Sequence, residues 1–231
     1  MNLFCRIMKK IETWGKKLLD FYTTLQPAVT LPNEVQWLYP QQQPEVVKLM
    51  QTFFEKYFND AAPRTLLLGI NPGRFGAGVT GVNFTAPKQL TQCCGIHHPL
   101  SQSELSAEFI YEMIAAFGGP DRFYQRYFIG SVCPLGFVQR GKNINYYDDK
   151  ELQKAVEPFI IENLQKLLSF NVDRDKCICI GGEKNYKYLS SINERFPFFK
   201  KIIPLPHPRF IMQYRRRQKD EFVQQYLDAL A

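Results

Sequence analysis

The sequence predicts an α/β fold, a three-layer α/β/α sandwich around a central four-stranded, mostly parallel sheet. Four short apolar runs each stop at a proline or glycine, which is typical of strands buried on both faces of a sheet. Helical periodicities separate these runs, and strands that alternate with helices form right-handed crossovers and therefore a parallel sheet. A chain of 231 residues with 45% apolar residues is long enough for one substantial core, so we predict a single domain over 1–231.

The predicted elements follow one another regularly along the chain. Apolar residues at helical spacing predict helices over 11–25 and 45–58, and we expect residues 1–60 to form an amino-terminal helical cap. The strands are predicted at 65–70, 127–133, 176–180 and 201–203. The helices between them are predicted at 103–117, 150–170 and 184–196. Because ligands bind at the carboxyl ends of the strands in such sheets, we expect the site in the loops that start at Asn71, 131, 181 and 204.

Positive charge is concentrated near the carboxyl end of the sequence. The formal net charge is +7, and residues 200–219 alone contain seven Lys and Arg side chains and no acidic one. Such clustering indicates a polyanionic partner such as DNA, while a solvated helix face or contact with anionic lipid would give the same pattern. Since no run of about 18 apolar residues occurs, we expect no membrane insertion, and we expect a cytoplasmic monomer.

The cysteine pattern argues against a metal site. The six cysteines include no C-x-x-C pair, so we expect reduced thiols, no zinc site, no iron–sulfur cluster and no cofactor. Neither paired carboxylates nor a Ser–His–Asp order stands out at the predicted strand ends, which disfavours acyl transfer and carboxylate-based glycosidase chemistry.

The loop after the first strand contains a formal G-x-G-x-x-G pattern at Gly76, Gly78 and Gly81. This pattern is typical of dinucleotide binding where it directly follows a strand, opens a helix and precedes an acidic residue by about 20 positions. Here the glycines begin several residues after the strand, Pro87 is expected to interrupt any helix, and no acidic residue stands at the required distance. A nucleotide-binding enzyme remains an alternative that this context disfavours.

Two polar residues at the predicted strand ends have the chemistry of a hydrolytic site. Asn71 projects an amide, which can orient an attacking water without being a strong base. His207 lies between two prolines, where it can donate a hydrogen bond to a leaving group that gains negative charge. Beside it, Arg209 can pair with phosphate and the apolar tip 210–212 can wedge between bases. The alternatives are an Asx turn before Pro72 and an incidental histidine in a surface loop.

Several motifs occur together in an order known from one family. The first is Gly69-Ile70-Asn71-Pro72-Gly73-x-Phe75-Gly76, which continues to Thr80-Gly81-Val82-x-Phe84. The others are Ser103-Glu104-Leu105-Ser106, Cys133-Pro134-Leu135 and His207-Pro208. With these motifs the chain resembles, over roughly residues 66–214, the SMUG-type (single-strand-selective monofunctional) uracil-DNA glycosylases.

The resemblance implies a uracil-DNA glycosylase-like fold and a monofunctional DNA glycosylase that uses no metal or cofactor. It implies that Asn71 positions the attacking water, that His207 supports the departing base, and that Phe84 stacks on the flipped base. The other base-binding residues that it implies are Ile70, Gly73, Ser131 and Cys133. The DNA-binding residues that it implies are Arg209, Phe210, Ile211, Met212, Arg215 and Arg217.

The sequence also departs from the family pattern. Ser131 stands where the family has an asparagine that reads the uracil edge. The second motif is His207-Pro208-Arg209 instead of His-Pro-Ser-Pro-Arg, and the stretch from Phe84 to Ser103 is shorter than in the animal proteins. These departures indicate a divergent, bacterial subfamily whose substrates extend to xanthine or oxidised pyrimidines.

Two hypotheses about function follow. The first is a glycosylase that flips a uracil or another modified base out of DNA, hydrolyses its N-glycosidic bond and thereby starts base-excision repair. The second is a non-catalytic nucleic-acid-binding module built on residues 200–219, which would bind DNA in a salt-sensitive way without releasing a base.

Overall fold

The computed structural model describes residues 12–32 and 34–231. Its α-helices are α1 (Trp14–Thr23), α2 (Pro44–Tyr57), α3 (Ala77–Thr80), α4 (Pro87–Cys94), α5 (Leu105–Phe117), α6 (Pro120–Tyr124), α7 (Lys150–Leu168), α8 (Gly182–Arg195), α9 (Pro208–Tyr214) and α10 (Lys219–Leu230). Its strands are β1 (Val35–Leu38), β2 (Arg64–Gly69), β3 (Tyr127–Ser131), β4 (Gly136–Gln139), β5 (Lys142–Ile144), β6 (Val172–Cys179) and β7 (Lys201–Pro204). Two short 3-10 helices occur at Pro40–Gln42 and Arg216–Gln218.

The central sheet has four parallel strands in the order β3-β2-β6-β7. Every residue of β2 is buried, which explains its unbroken apolar sequence. The register places Leu67 of β2 between Ile129 of β3 and Ile178 of β6. Helices flank this sheet, so the predicted α/β fold with a four-stranded, mostly parallel sheet is confirmed.

The first half of β6 was not recognisable from the sequence. The predicted strand begins at residue 176, whereas β6 already begins at Val172. The additional residues include Asp173, Arg174 and Asp175, which are partly or fully exposed at the end of the sheet and therefore carry no apolar pattern. The register between β2 and β6 is also irregular between Thr65 and Leu66.

A second, antiparallel sheet in the order β1-β4-β5 is absent from the predicted elements. Its strands have only three or four residues, which is too short for a periodicity to be recognised. Arg140 and Gly141 join β4 to β5, and both have positive φ, 48° and 72°, as a tight two-residue hairpin requires. This small sheet brings the segment after β5 towards the carboxyl ends of the parallel strands.

The amino-terminal segment packs into the same apolar core as the central sheet. Thr13 caps α1, and Trp14 donates a hydrogen bond from its indole nitrogen to the carbonyl of Ala62, 2.8 Å away. Gly15 allows α1 to approach α2, because a Cβ there would lie 2.7 Å from the carbonyl oxygen of Phe54. The segment contains β1 as well as helices, so it is not purely helical. Residues 1–11 lie outside the described part, and the cap over 1–60 and the single domain over 1–231 remain predictions.

Two helices correct the sequence-based assignment. Pro87 was expected to interrupt a helix but is the first residue of α4, a position where proline is favoured because its missing N–H has no intrahelical partner anyway. The apolar tip 210–212, for which no secondary structure was predicted, lies within α9.

Candidate active site

An open cavity of about 370 Å³ lies at the carboxyl ends of the parallel strands. All four loops at the strand ends contribute to its wall, through Asn71, Ser131, Gly181 and His207. Of the predicted site residues, those that line the cavity are Ile70, Asn71, Gly73, Phe84, Ser131, His207, Arg209 and Phe210. The cavity therefore lies where the sequence predicts a ligand site.

The side chain of Asn71 is held by the main chain of the segment after β5. Its Oδ1 accepts a hydrogen bond from the N–H of Tyr146, 3.1 Å away. Its Nδ2 donates to the carbonyl oxygens of Ile144 at 3.3 Å and of Pro72 at 3.4 Å. Both hydrogens of the amide are thereby engaged, whereas Oδ1 keeps one lone pair for a bound molecule. These contacts fix the orientation of the amide, and they connect two loops that are distant in sequence.

A buried hydrogen-bond circuit supports this arrangement. The hydroxyl of Tyr146 donates to Oδ1 of Asn185 at 2.6 Å, and Nδ2 of Asn185 donates to the carbonyl of Gly69 at 3.2 Å. Tyr146 and Asn185 are both fully buried. Because Gly69 precedes Asn71 by two residues and Tyr146 contacts Asn71 directly, the circuit closes on the strand end that carries Asn71. Neither residue could be identified from the sequence, since neither belongs to a recognisable motif.

Phe84 lies over the end of β2 in an uncommon backbone conformation. Its φ is 53°, in the left-handed region that non-glycine residues rarely adopt. The hydroxyl of Thr80 holds the turn, because it donates to the carbonyl of Thr85 at 2.6 Å and accepts from the N–H of Val82 at 3.1 Å. Gly69 leaves room for the ring, since a Cβ there would lie 2.6 Å from Cε2 of Phe84. The motif thus directs an aromatic ring into the cavity.

Asn83 is a cavity residue that the sequence analysis did not single out. Its side chain is 6% exposed, and its Oδ1 accepts a hydrogen bond from the hydroxyl of Ser131 at 2.9 Å. Its Nδ2 donates to the hydroxyl of Tyr22 on α1 at 3.0 Å. Its place directly before Phe84 in the first motif was the signal that could have identified it.

His207 is the N-cap residue of α9. Its Nδ1 accepts a hydrogen bond from the N–H of Arg209 at 3.0 Å, so the proton of the neutral ring lies on Nε2. Burial, together with the positive charge of Arg209, lowers the pKa of His207 from its ordinary value of 6.5 to about 4. The ring is therefore neutral at physiological pH, and its centre lies 6.0 Å from that of Phe84.

Glu104 places a carboxyl group in the same cavity. Burial raises the pKa of this carboxyl group. Its side chain packs against the glycine-rich loop, where a Cβ at Gly76 would clash with Oε2. The sequence had indicated the surrounding Ser-Glu-Leu-Ser motif but no role for the glutamate.

Three of the predicted contact residues are buried and do not line the cavity. Ile211 and Met212 are buried, because they lie on the inner face of α9, whereas Phe210 and Tyr214 on its outer face are 43% and 64% exposed. Neither the Ile211 nor the Met212 side chain is accessible in this conformation, and their contact with DNA stays a prediction. Cys133 is also fully buried and does not line the cavity, and its N–H is donated to the carbonyl of Ile70.

The outer face of α9 combines aromatic and basic side chains. The guanidinium of Arg215 lies over the ring of Phe210, 5.7 Å from its centre, and Phe210 contacts Tyr214. Arg215 and Arg217 are exposed beyond the cavity rim. Had the segment from Pro208 been recognised as a helix capped by His207, the helical period would have identified Phe210 and Tyr214 as the outward pair.

The glycines of the formal dinucleotide pattern serve close packing instead. Gly78 donates its N–H to the carbonyl of Gly73, and a Cβ at Gly78 would clash with that same oxygen. Gly81 has a positive φ of 72° and packs against Met50. The loop therefore offers no row of free N–H groups of the kind that cradles phosphates, which argues against the nucleotide-binding alternative.

The described residues contain neither a group of metal-binding side chains nor a membrane-spanning helix. In residues 12–32 and 34–231, no three His, Cys, Asp or Glu side chains are grouped so that they could hold a metal ion. Over the same part of the chain, no helix combines the length and the apolar character needed to cross a membrane.

Comparisons with known proteins agree with this geometry. The family model of the uracil DNA glycosylase superfamily matches residues 55–231. Among solved structures, the chain is similar to the crystal structure of wild-type Pedobacter heparinus SMUG2, with a TM-score of 0.93 and 42% sequence identity over 95% of this chain and 97% of that chain. This chain therefore belongs to the uracil-DNA glycosylase superfamily, in its SMUG-type branch, and is a DNA glycosylase that hydrolyses N-glycosidic bonds.

Proposed function

We propose that this DNA glycosylase is monofunctional and that it hydrolyses the bond between a flipped, damaged base and its deoxyribose with a water that Asn71 positions. The single observation that carries the proposal is that Asn71, Phe84 and His207 line one cavity, each fixed there by its own contacts. No lysine Schiff base and no cofactor are needed for this reaction.

Asn71 suits the role of a water-positioning residue. Both hydrogens of its amide are engaged by carbonyl oxygens, so the atom left for water is Oδ1. An accepting oxygen directs a hydrogen of the water towards itself and the water's lone pair away from it, towards the sugar carbon C1′. Because the main chain around Tyr146 holds the amide, it needs no reorganisation when substrate binds.

His207 suits the role of a neutral donor to the departing base. The glycosidic bond breaks with its electron pair going to the base, and the water oxygen bonds to C1′. One hydrogen of the water stays on this oxygen, and the other is transferred as a proton that neutralises the base anion. The N–H at Nε2 of His207 can donate to a base oxygen as negative charge develops on it. The low pKa of His207 keeps the ring neutral, and the N–H of Arg209 on Nδ1 favours the tautomer whose proton is on Nε2.

The remaining residues suit base extrusion. Phe84 can stack on the flipped base, and stacking of this kind offsets part of the few kcal/mol that unpairing costs. Phe210 and Tyr214, on the outer face of α9, can occupy the space that the base leaves in the duplex. Arg209, Arg215 and Arg217 can pair with phosphates next to them.

The substrates that fit this proposal are uracil and related modified bases, including xanthine or oxidised pyrimidines. The similarity to the SMUG2 of Pedobacter heparinus supports the assignment of this protein to a bacterial subfamily. Action as a monomer in the cytoplasm, at the start of base-excision repair, is part of the same proposal.

The test is base release by the purified protein without added metal. Duplex and single-stranded oligonucleotides that carry one uracil, hydroxymethyluracil or xanthine are incubated with enzyme, and abasic sites are then cleaved with alkali. We expect scission at one or more of these bases, loss of scission in Asn71→Ala, and normal scission in Asn59→Ala, whose exposed amide lies before β2 at the opposite end of the sheet. DNA binding with no scission of any substrate would favour the non-catalytic module instead.

A further inference from the structure

A hydrogen-bonded row of three polar side chains begins at the edge of the cavity next to Phe84. Ser131 donates its hydroxyl hydrogen to Oδ1 of Asn83 at 2.9 Å, and Nδ2 of Asn83 donates to the hydroxyl of Tyr22 at 3.0 Å. Asn83 and Ser131 line the cavity and are 6% and 7% exposed, whereas Tyr22 lies behind them and is 3% exposed. These hydrogen bonds therefore connect the cavity to the buried side of α1.

The hydrogens of these three side chains determine which donors and acceptors a bound molecule can meet. The hydroxyl hydrogen of Ser131 is engaged by Asn83, so its oxygen presents lone pairs and can only accept. The amide nitrogen of Asn83 carries two hydrogens, and Tyr22 is its one hydrogen-bond acceptor among residues 12–32 and 34–231. One N–H of Asn83 thus has no acceptor among these residues, and Asn83 and Ser131 both line the cavity.

An acceptor beside a donor matches one kind of base edge. Uracil, hypoxanthine and xanthine each have a ring N–H next to a carbonyl, the pattern that deamination creates. Cytosine and adenine have the reverse pattern, a ring nitrogen without hydrogen next to an amine. The reverse pattern would place a lone pair of the base against a lone pair of Ser131, and an amine hydrogen against the N–H of Asn83. In a desolvated pocket these mismatches cost far more free energy than they do in water.

We propose that Asn83, held in place by Tyr22, is a specificity-determining residue that donates to the carbonyl of a deaminated base while Ser131 accepts its ring N–H. The inference rests on the proposed function and deepens it, because it assigns the reading of the base edge to a named residue of the loop that follows β2. It also accounts for the serine at position 131: the amide comes from the loop that carries Phe84 instead. Stacking and edge reading are then contributed by adjacent residues.

The sharpest variant is Asn83→Asp. A carboxylate can accept hydrogen bonds from both Ser131 and Tyr22, so both contacts of residue 83 are kept. The N–H donor of the Asn83 amide is removed. Tyr22→Phe is the milder variant, because Asn83 keeps its contact with Ser131 and loses only its anchor. The matched control is Tyr39→Phe, which removes a neighbouring hydroxyl whose hydrogen bonds within the described residues go to the main-chain carbonyls of Tyr22 and Leu25.

The measurement is the ratio of kcat/KM values for oligonucleotides that differ in one base. Uracil and hypoxanthine have the edge described above, and 2-pyrimidinone, a uracil analogue without the carbonyl and the N–H at that edge, is the reference. We expect Asn83→Asp to lower the ratio of uracil to 2-pyrimidinone by about 10- to 100-fold and the ratio of hypoxanthine to 2-pyrimidinone similarly. Tyr22→Phe should lower both ratios by about three- to tenfold, and Tyr39→Phe should leave them unchanged.

The ratio separates this inference from other effects. A loss of folding or of DNA affinity lowers the rates on all three bases together and leaves the ratios unchanged, and that result would overturn the role of Asn83. A wild-type enzyme that releases none of the bases would contradict the proposed function itself, whereas an active wild-type enzyme with unchanged ratios in Asn83→Asp contradicts only the assignment of Asn83.

Discussion

The wall of the cavity that carries Asn71 differs from the wall formed by α9 in how its side chains are held. Asn71 is bound on both atoms of its amide by main-chain groups, and the residues behind it, Tyr146 and Asn185, are fully buried. On α9, only His207 is fixed by a hydrogen bond of this kind, and Phe210 and Tyr214 extend into solvent. The difference indicates a division of work: Asn71 and His207, which hydrogen bonds hold in place, serve the chemistry, and the exposed side chains of α9 are free to contact DNA.

The largest effect is expected from removing the amide of Asn71. Asn71→Ala should lower the single-turnover rate of uracil release by about 100- to 1000-fold, because it removes a preorganised group that acts on the attacking water. The rate is measured at saturating enzyme, so that binding does not limit it. A loss of only a few-fold would mean that the water is positioned by another residue.

The next largest effect is expected at His207, the N-cap residue of α9. His207→Ala should lower the single-turnover rate by about 100-fold, because the donor to the departing base is lost together with the N-cap of α9. His207→Asn keeps an acceptor for the N–H of Arg209 and a donor for the base, so it should retain more activity than the alanine variant. Equal activities of the two variants would contradict the role of a donor.

A smaller effect is expected from the buried circuit behind Asn71. Tyr146→Phe should lower kcat by about tenfold and leave KM unchanged, because the anchor to Asn185 is lost and Asn71 is less well oriented. The matched control is Tyr188→Phe, since the ring of Tyr188 packs 4.7 Å from that of Tyr146 and its buried hydroxyl has no partner among the described residues. If both variants lost activity to the same extent, packing and not the circuit would be responsible.

On the α9 wall the expected effect is on binding. Phe210→Ala should weaken the affinity for DNA that contains an abasic-site analogue by about fivefold, because a stacking contact is lost, with little change in the single-turnover rate at saturating enzyme. The affinity is measured by titration at a fixed salt concentration, since phosphate contacts make it depend strongly on salt. An unchanged affinity would place the DNA elsewhere on the surface.

The smallest expected change concerns pH. Because the pKa of His207 is lowered to about 4, the ring stays neutral and the single-turnover rate should show no inflection near pH 6.5. The unfolded chain binds this proton below pH 6.5 and the folded chain only below about pH 4. His207 therefore favours the folded state fully above pH 6.5, and this contribution is lost as the pH falls from 6.5 to about 4. An NMR titration of His207 with a midpoint near 6.5 would contradict this account.

The same comparison explains which features the sequence could predict. The strands of the central sheet were recognisable because residues such as Leu66, Leu67 and Leu68 are buried on both faces and form continuous apolar runs. Asn71 and His207 were recognisable because strand ends in such sheets converge, so their separation along the chain does not matter.

The unpredicted features depend on contacts that have no local signature. Tyr146 and Asn185 act through a hydrogen bond between distant segments, and nothing in either neighbourhood indicates a partner. The strands β1, β4 and β5 are too short for a period to be recognised. Ile211 and Met212 were misplaced because three apolar residues in a row resemble a wedge, whereas their helical spacing turns two of them inward.

The most direct test of this division of work is a crossed measurement on Asn71→Ala and Phe210→Ala. For each variant, the single-turnover rate of uracil release and the affinity for abasic-site DNA are measured under the same conditions. We expect Asn71→Ala to lose the rate and keep the affinity, and Phe210→Ala to keep the rate and lose affinity. Parallel losses of rate and affinity in both variants would contradict the account, because chemistry and DNA binding would then depend on the same side chains.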